Sequence, residues 1–146
     1  MIDNTYVAES SVTIDAPVSK VWEALVSPAI IKKYLFGTNV VSDWKEGSAI
    51  EYSGEWEGKA YHDKGVIKKL VPEKVFQSTY LSSMSGKEDT PENYNLVTYV
   101  LSVEDGKTIV SLTQDNIASS EERTHSTTNW DMVLQKLKEV VEAGNS

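Results

Sequence analysis

Two histidines, His62 and His125, and a scatter of carboxylates and serines are the groups in this sequence that could do acid–base or nucleophilic work near neutral pH. A hydrolytic triad needs a base against a nucleophile, with an acid to orient the base. The two histidines lie far apart, and neither sits in a motif of that kind. His62 and Asp63 are neighbours on a strand-like stretch, where consecutive side chains point to opposite faces, so they do not cooperate. Glu51, Glu55 and Glu57 share a parity within or beside one strand, and Glu121-Glu122 precede the last helix. Carboxylates act as an acid–base pair only where burial or proximity separates their pKa values. A solvated strand face and a helix N-terminus, where negative charge is favourable, account for these five. Ser82, Ser83 and Ser85 fall in a polar stretch with no elbow to activate them. With no cysteine and no close spacing of metal-binding side chains, no catalytic residue, metal or cofactor is expected.

Aromatic side chains are the stronger binding candidates: Trp22, Tyr34, Trp44, Tyr52, Trp56, Tyr61, Tyr80, Tyr99 and Trp130. Each Tyr or Trp joins an apolar body to one polar tip, which suits a cavity that must both desolvate and orient a ligand. Ordinary core and rim packing is the competing reading, and it takes Trp22 and Trp130, which lie within apolar helical stripes. The expected ligand contacts are Tyr34, Trp44, Tyr52, Trp56, Tyr80 and Tyr99, with Thr127 and Leu134 from the last helix. Tyr52, Trp56 and Tyr99 stand out because their strands border that helix.

The elements that would position these residues are legible in order. Tyr6 to Ile14 alternates as a half-buried strand and stops at Asp15-Ala16-Pro17. Val18, Val21, Trp22, Leu25 and Val26 form one helical face, ended by Ser27-Pro28, and a shorter helix follows from Ala29 to Leu35 with Gly37 beyond it. From Val40 to Asn116 strands alternate with turn residues. One strand ends at Trp44, the next carries Ile50 and Tyr52, Gly58 marks a turn, and Gly65 to Val71 and Val75 to Leu81 are strands around Pro72-Glu73. Ser82 to Asn93 reads as a long exposed loop, placed to act as a lid. Tyr94 to Val103 and Thr108 to Thr113 form a hairpin, because Asp105-Gly106 suits the tight turn that matches strand twist. A polar connector, Ala118 to Arg123, leads to the last helix, whose apolar face is Trp130, Val133, Leu134, Leu137, Val140 and Val141. Extended backward, that stripe turns the hydroxyls of Ser126 and Thr127 toward the sheet. Helices bracketing a block of sheet make this an α+β fold with an antiparallel sheet.

The chain's 146 residues suit one domain, 1–146. The formal charge of −8 repels nucleic-acid phosphates and anionic lipids, so no nucleic-acid partner is expected. The start lacks a secretory signal and no segment is apolar enough to span a bilayer, so a cytoplasmic protein without membrane insertion is expected.

Three local patterns, together running along nearly the whole chain, resemble a known family. They are Ile14-Asp15-Ala16-Pro17 with Val21-Trp22-Glu23-Ala24-Leu25, Pro28, Ile31, Tyr34 and Leu35; Trp44 and Gly47, then Gly65, Ile67, Leu70 and Pro72; and Asn129-Trp130-Asp131 with Leu134, Leu137 and Lys138. In this order they look like the activator of heat shock protein 90 ATPase homologue 1-like family of the START-like superfamily. The resemblance implies a helix-grip fold, a curved antiparallel sheet around a long C-terminal helix, often with a cavity that holds lipids, sterols, polyketides or aromatic metabolites. It supplies no catalytic constellation. The expected function is a non-enzymatic domain that encloses a hydrophobic or aromatic small molecule. Two alternatives stand beside it: a module that binds a protein partner such as a chaperone, and a cyclase-like or hydrolase-like enzyme using a Tyr, His or Glu inside the cavity.

Overall fold

The computed structural model describes residues 6–56, 58–82, 88–117 and 119–144, with the side chain of Trp56 outside that description. Its elements are β1 (Tyr6–Ile14), α1 (Val18–Val26), α2 (Pro28–Tyr34), β2 (Asn39–Ser42), β3 (Ala49–Trp56), β4 (Lys59–Val71), β5 (Val75–Tyr80), β6 (Asn95–Glu104), β7 (Lys107–Ile117) and α3 (Ser120–Gly144). The strands form one seven-stranded antiparallel sheet in the order β1-β7-β6-β5-β4-β3-β2. This is the helix-grip fold, with α1 and α2 bridging the two edge strands in sequence and α3 lying against the sheet.

Register decides which face is inside. The ladder pairs Val40 with Tyr52, Tyr52 with Asp63, Ser78 with Val97, Phe76 with Tyr99 and Tyr99 with Leu112, so these residues share the concave face. Against that face α3 lays Val133, Leu134, Leu137 and Val141, all buried. Burying such side chains contributes roughly 1.5–3 kcal/mol each, and this apolar stripe rather than helix propensity is what docks α3. Asp131 accepts a hydrogen bond from the Ser10 hydroxyl of β1, and Glu142 accepts one from the Asp15 amide at 2.9 Å, fixing the helix along that strand.

Several boundaries differ from the sequence reading. The stretch before Arg123 is not a connector: α3 already begins at Ser120, with the Glu122 amide donating to Ser119 Oγ at 3.1 Å and Glu121 and Glu122 in the first turn, where the helix dipole favours them. Pro28 does not merely stop α1 but opens α2, where its missing N–H costs nothing. Trp44 lies beyond β2, with φ of +56° just before the Lys45–Ser48 turn, and not at a strand end. Gly58 lies in the turn between β3 and β4 as expected, with φ of +82°, but Gly65 does not start a strand, since β4 runs unbroken for 13 residues through it. Gly65 is there for space: a Cβ would lie 1.7 Å from the Thr79 carbonyl oxygen. The Asp105-Gly106 hairpin forms as expected, with φ of +53° and +79° and Glu104 paired to Lys107.

Candidate functional site

A cavity of about 350 Å³ remains where α3 leaves the sheet toward its N-terminal end. Its floor comes from inward positions of four strands, namely Tyr52, Asp63, Ser78, Tyr80, Val97 and Tyr99. Leu35, Thr38 and Tyr61 close one side, and α3 supplies His125, Ser126, Asn129, Trp130 and Val133, with Gln114 of β7 beneath them. The opening exists because the helix face changes character along its length. Below Trp130 it carries aliphatic side chains that fill the concavity, and above it short polar ones that do not.

The walls are aromatic and locked by neighbours. Phe76 stacks on Tyr99 at 5.7 Å between ring centroids, and Trp130 meets Tyr99 edge-on at 6.2 Å. The Trp130 indole N–H donates to Gln114 Oε1 at 2.7 Å. Tyr52 and Tyr80 form an edge-to-face pair at 5.7 Å. Such contacts hold rings in fixed orientation at low entropy cost, a preorganised surface for a planar ligand. On the remaining side, the Tyr61 and Thr38 hydroxyls are 2.5 Å apart and Thr38 Oγ1 donates to the Leu35 carbonyl at 2.7 Å.

Polar groups punctuate this wall. Asp63 is only 7% exposed, and the Tyr80 hydroxyl donates to its Oδ2 at 2.5 Å. Burial pushes the Tyr80 phenol far above its ordinary range, and the hydrogen bond to Asp63 pushes it further. Burial also raises Tyr52, to about 12, against an opposing hydrogen bond from Ser78. Desolvation lifts Tyr99 in the same direction. These three phenols are therefore neutral hydrogen-bonding groups at physiological pH, unavailable as phenolate bases. His62, on the opposite side of β4 from Asp63, lies 3.0 Å from Glu51 at the surface, as strand alternation requires. Among the described residues no group of His, Asp and Glu is placed to hold a metal ion.

Of the expected contact residues, Tyr52, Tyr80 and Tyr99 come together on this cavity. Tyr34 is not among the lining residues: it is buried, and its hydroxyl donates to the Ala24 carbonyl of α1 at 2.9 Å. Trp44 packs 6.0 Å from Phe76 beyond the cavity wall. Thr127 turns its hydroxyl back to the Arg123 carbonyl, 2.9 Å away, and Leu134 sits about two turns further down α3 in the packed core, 1% exposed. The Trp56 side chain lies outside the described residues, as do residues 83–87 of the expected lid. Of the rest of that segment, Ser82 hydrogen-bonds the Tyr80 phenol of the cavity floor, whereas Asp89 pairs with Lys64 and accepts from the Tyr94 hydroxyl at 2.5 Å. Pro91 and Glu92 instead border a wider, open depression on the outer face, beside Thr79 and Leu96. Asp63, Ser78, Gln114, His125 and Asn129 were not singled out as cavity residues from the sequence. The one available signal was parity, since Asp63 lies two residues from Gly65 and four from Ile67 on one strand face.

A family model described as Activator of Hsp90 ATPase homolog 1-like protein matches residues 15–142, all but the ends of the chain. The protein belongs to that family. Three solved structures show the shared architecture. A protein of Cytophaga hutchinsonii, determined in solution, is 47% identical with a TM-score of 0.84, covering 97% of each chain. The Aha1 dimer from Colwellia psychrerythraea is 21% identical with a TM-score of 0.76, covering 97% of this chain and 99% of that one. DynU16, from the dynemicin biosynthetic locus, is 15% identical with a TM-score of 0.79, covering 97% of this chain and 48% of that one. A search of curated proteins gave no match.

Proposed function

We propose that this domain binds a compact hydrophobic or aromatic small molecule in the cavity between the sheet and the upper part of α3. The observation that carries the reading is the unfilled volume of about 350 Å³ walled by Tyr52, Tyr80, Tyr99 and Trp130, in a fold whose remaining concavity is tightly packed. Interiors normally close such space, because a void forfeits dispersion contacts on every side. The ring contacts keep the walls from collapsing into it. The volume stands near the lower end of the roughly 300–1,000 Å³ range of ligand pockets, which suits one or two fused rings rather than a sterol.

The test is titration with the neutral fluorophore N-phenyl-1-naphthylamine, followed by emission and by amide chemical shifts. Saturable enhancement with shifts confined to the cavity residues supports the reading. Absence of saturation, or shifts only at exposed Val41 and Val103, overturns it.

Family membership supports a second reading, regulation of a chaperone ATPase. It predicts that adding this protein changes the ATP turnover of a purified heat shock protein 90, and unchanged turnover removes it. The enzyme alternative gains nothing from the geometry: among the described residues lining the cavity Asp63 is the one acid, and it is hydrogen-bonded to the Tyr80 phenol.

A further inference from the structure

Hydrogen bonding around the cavity leaves one deep hydroxyl over. The Tyr80 phenol donates to Asp63, and Ser78 hydrogen-bonds the Tyr52 phenol. Thr38 gives its one hydroxyl proton to the Leu35 carbonyl, so the Tyr61 phenol, 2.5 Å away, is the donor to Thr38. Tyr99 has no such partner among the described residues: Phe76 and Trp130 fix its ring, and its phenol is raised by burial and by neighbouring Tyr52, with no hydrogen bond contributing. The residue is only 8% exposed. Every polar side-chain atom sealed from solvent among the described residues has a partner, so the Tyr99 oxygen is not sealed, and the space its side chain borders is the cavity. Polar groups at the mouth differ. His125 and Asn129 are exposed, and Gln114 and Ser126 also border a neighbouring open depression, so water reaches them whether or not the cavity is filled.

Resting on the ligand-binding reading above, we propose that the cavity selects a neutral aromatic ligand bearing a carbonyl oxygen, which accepts a hydrogen bond from the Tyr99 hydroxyl and so sets the ligand's orientation. A ligand that fills the space beside Tyr99 takes water away from that hydroxyl. If it brings no acceptor there, a donor is left buried and unpaired, which costs more than a typical hydrogen bond returns. A ligand that only donates reaches the phenol oxygen, yet it leaves the phenol proton without an acceptor, because burial keeps that proton in place. A carbonyl accepts and has no proton of its own to satisfy. Being neutral, it also enters a low-dielectric site without the desolvation penalty of an ion. The two ring contacts on Tyr99 hold the donor ready before the ligand arrives.

The probes are 2-acetylnaphthalene and 2-isopropenylnaphthalene, in which a carbon–carbon double bond replaces the carbonyl at nearly the same shape. Both are titrated into the wild-type protein and Tyr99→Phe, with affinity read by displacement of N-phenyl-1-naphthylamine. The hydrocarbon is the more hydrophobic of the two, so the readout is the change that Tyr99→Phe makes in their affinity ratio, not the order of binding. Ketone affinity is expected to fall about tenfold in Tyr99→Phe, with hydrocarbon affinity held or tightened. A fall of less than about threefold relative to the hydrocarbon overturns the assignment. The carbonyl stretch of bound 2-acetylnaphthalene should lie at lower frequency in wild type than in Tyr99→Phe, and a band in the same place in both overturns it too. Without ligand, Tyr99→Phe removes no hydrogen bond, so its urea midpoint should equal or exceed that of wild type. A lower midpoint, or failure to fold, would show the hydroxyl already engaged and overturns the inference. Absence of saturable fluorophore binding overturns the ligand-binding reading itself, whereas a fluorophore that binds and is displaced by neither probe, or by the hydrocarbon alone, overturns only the present inference.

Discussion

Replacing Gly65 with alanine tests the account of how β4 is built. A Cβ at this position would lie 1.7 Å from the Thr79 carbonyl oxygen and 2.6 Å from its carbon. Both are backbone atoms, so no rotamer change relieves the overlap, and β4 and β5 must separate locally. Three hydrogen bonds hold them there: Lys64 N to Leu81 O at 3.2 Å, Leu81 N to Lys64 O at 2.8 Å, and Val66 N to Thr79 Oγ1 at 2.9 Å. At about 0.5–1.5 kcal/mol each, their loss costs roughly 2–4 kcal/mol. The reduced freedom of alanine in the unfolded chain returns about 0.4–1 kcal/mol. The net destabilisation is then roughly 1–3 kcal/mol, which for a chain of this size lowers Tm by about 3–12 °C. Urea and thermal unfolding measure it, with Gly144→Ala as the control because nothing lies within 4 Å of its Cβ. Gly54→Ala belongs between the two, since its Cβ would meet a side chain and not backbone, 2.7 Å from the Tyr61 hydroxyl and 3.0 Å from Cζ of its ring. A Gly65→Ala protein within about 0.5 kcal/mol of wild type would refute the close-approach argument.

Tyr80→Phe takes one donor from a carboxylate that is 7% exposed, and destabilisation of about 1–3 kcal/mol is expected in urea at neutral pH. Leu134→Ala, at a position 1% exposed in the aliphatic part of the helix stripe, should cost about 2–5 kcal/mol by the same measurement. Alkali should unfold the protein through its tyrosines. Tyr52 rises to about 12 in the folded state, and Tyr34, Tyr80 and Tyr99 also rise, all chiefly by burial. The folded state thus binds more protons than the unfolded one above the ordinary phenol pKa, so stability is full below about pH 10 and falls as pH climbs through 12. Phenolate absorbance should show these four of the seven tyrosines ionising together with unfolding, and independent ionisation of all seven at ordinary pH would contradict their burial.

The sequence revealed those parts of the fold whose signals are local. The Asp105-Gly106 turn needs positive φ at both central residues, and Asn, Asp and Gly tolerate it best. The α3 stripe repeats at the period of its own helix, so it identifies its buried side without knowledge of a partner. What escaped depends on neighbours distant in sequence. Gly65 resembles punctuation until the Thr79 carbonyl is seen against it. The first turns of α3 are polar and exposed, and their helical state follows from the Ser119 cap and the packed segment downstream. At the site, the tyrosines were recognisable as amphipathic rings, but which of them share a volume depends on register across four strands. Tyr34 and Trp44 are chemically alike to Tyr52 and Tyr99, yet they fall on the helix pair and beyond the wall. Asp63 was visibly on the opposite face from His62, but only the pairing of β4 with β3 and β5 shows that its face is the inner one.

Occupancy of the space beneath α3 is tested most directly by intermolecular nuclear Overhauser effects between bound N-phenyl-1-naphthylamine and isotope-labelled protein. The account predicts contacts from the naphthyl protons to the Tyr52, Val97, Tyr99 and Val133 side chains, on both walls at once. Contacts restricted to outward-facing side chains, or none at saturating ligand, would contradict it.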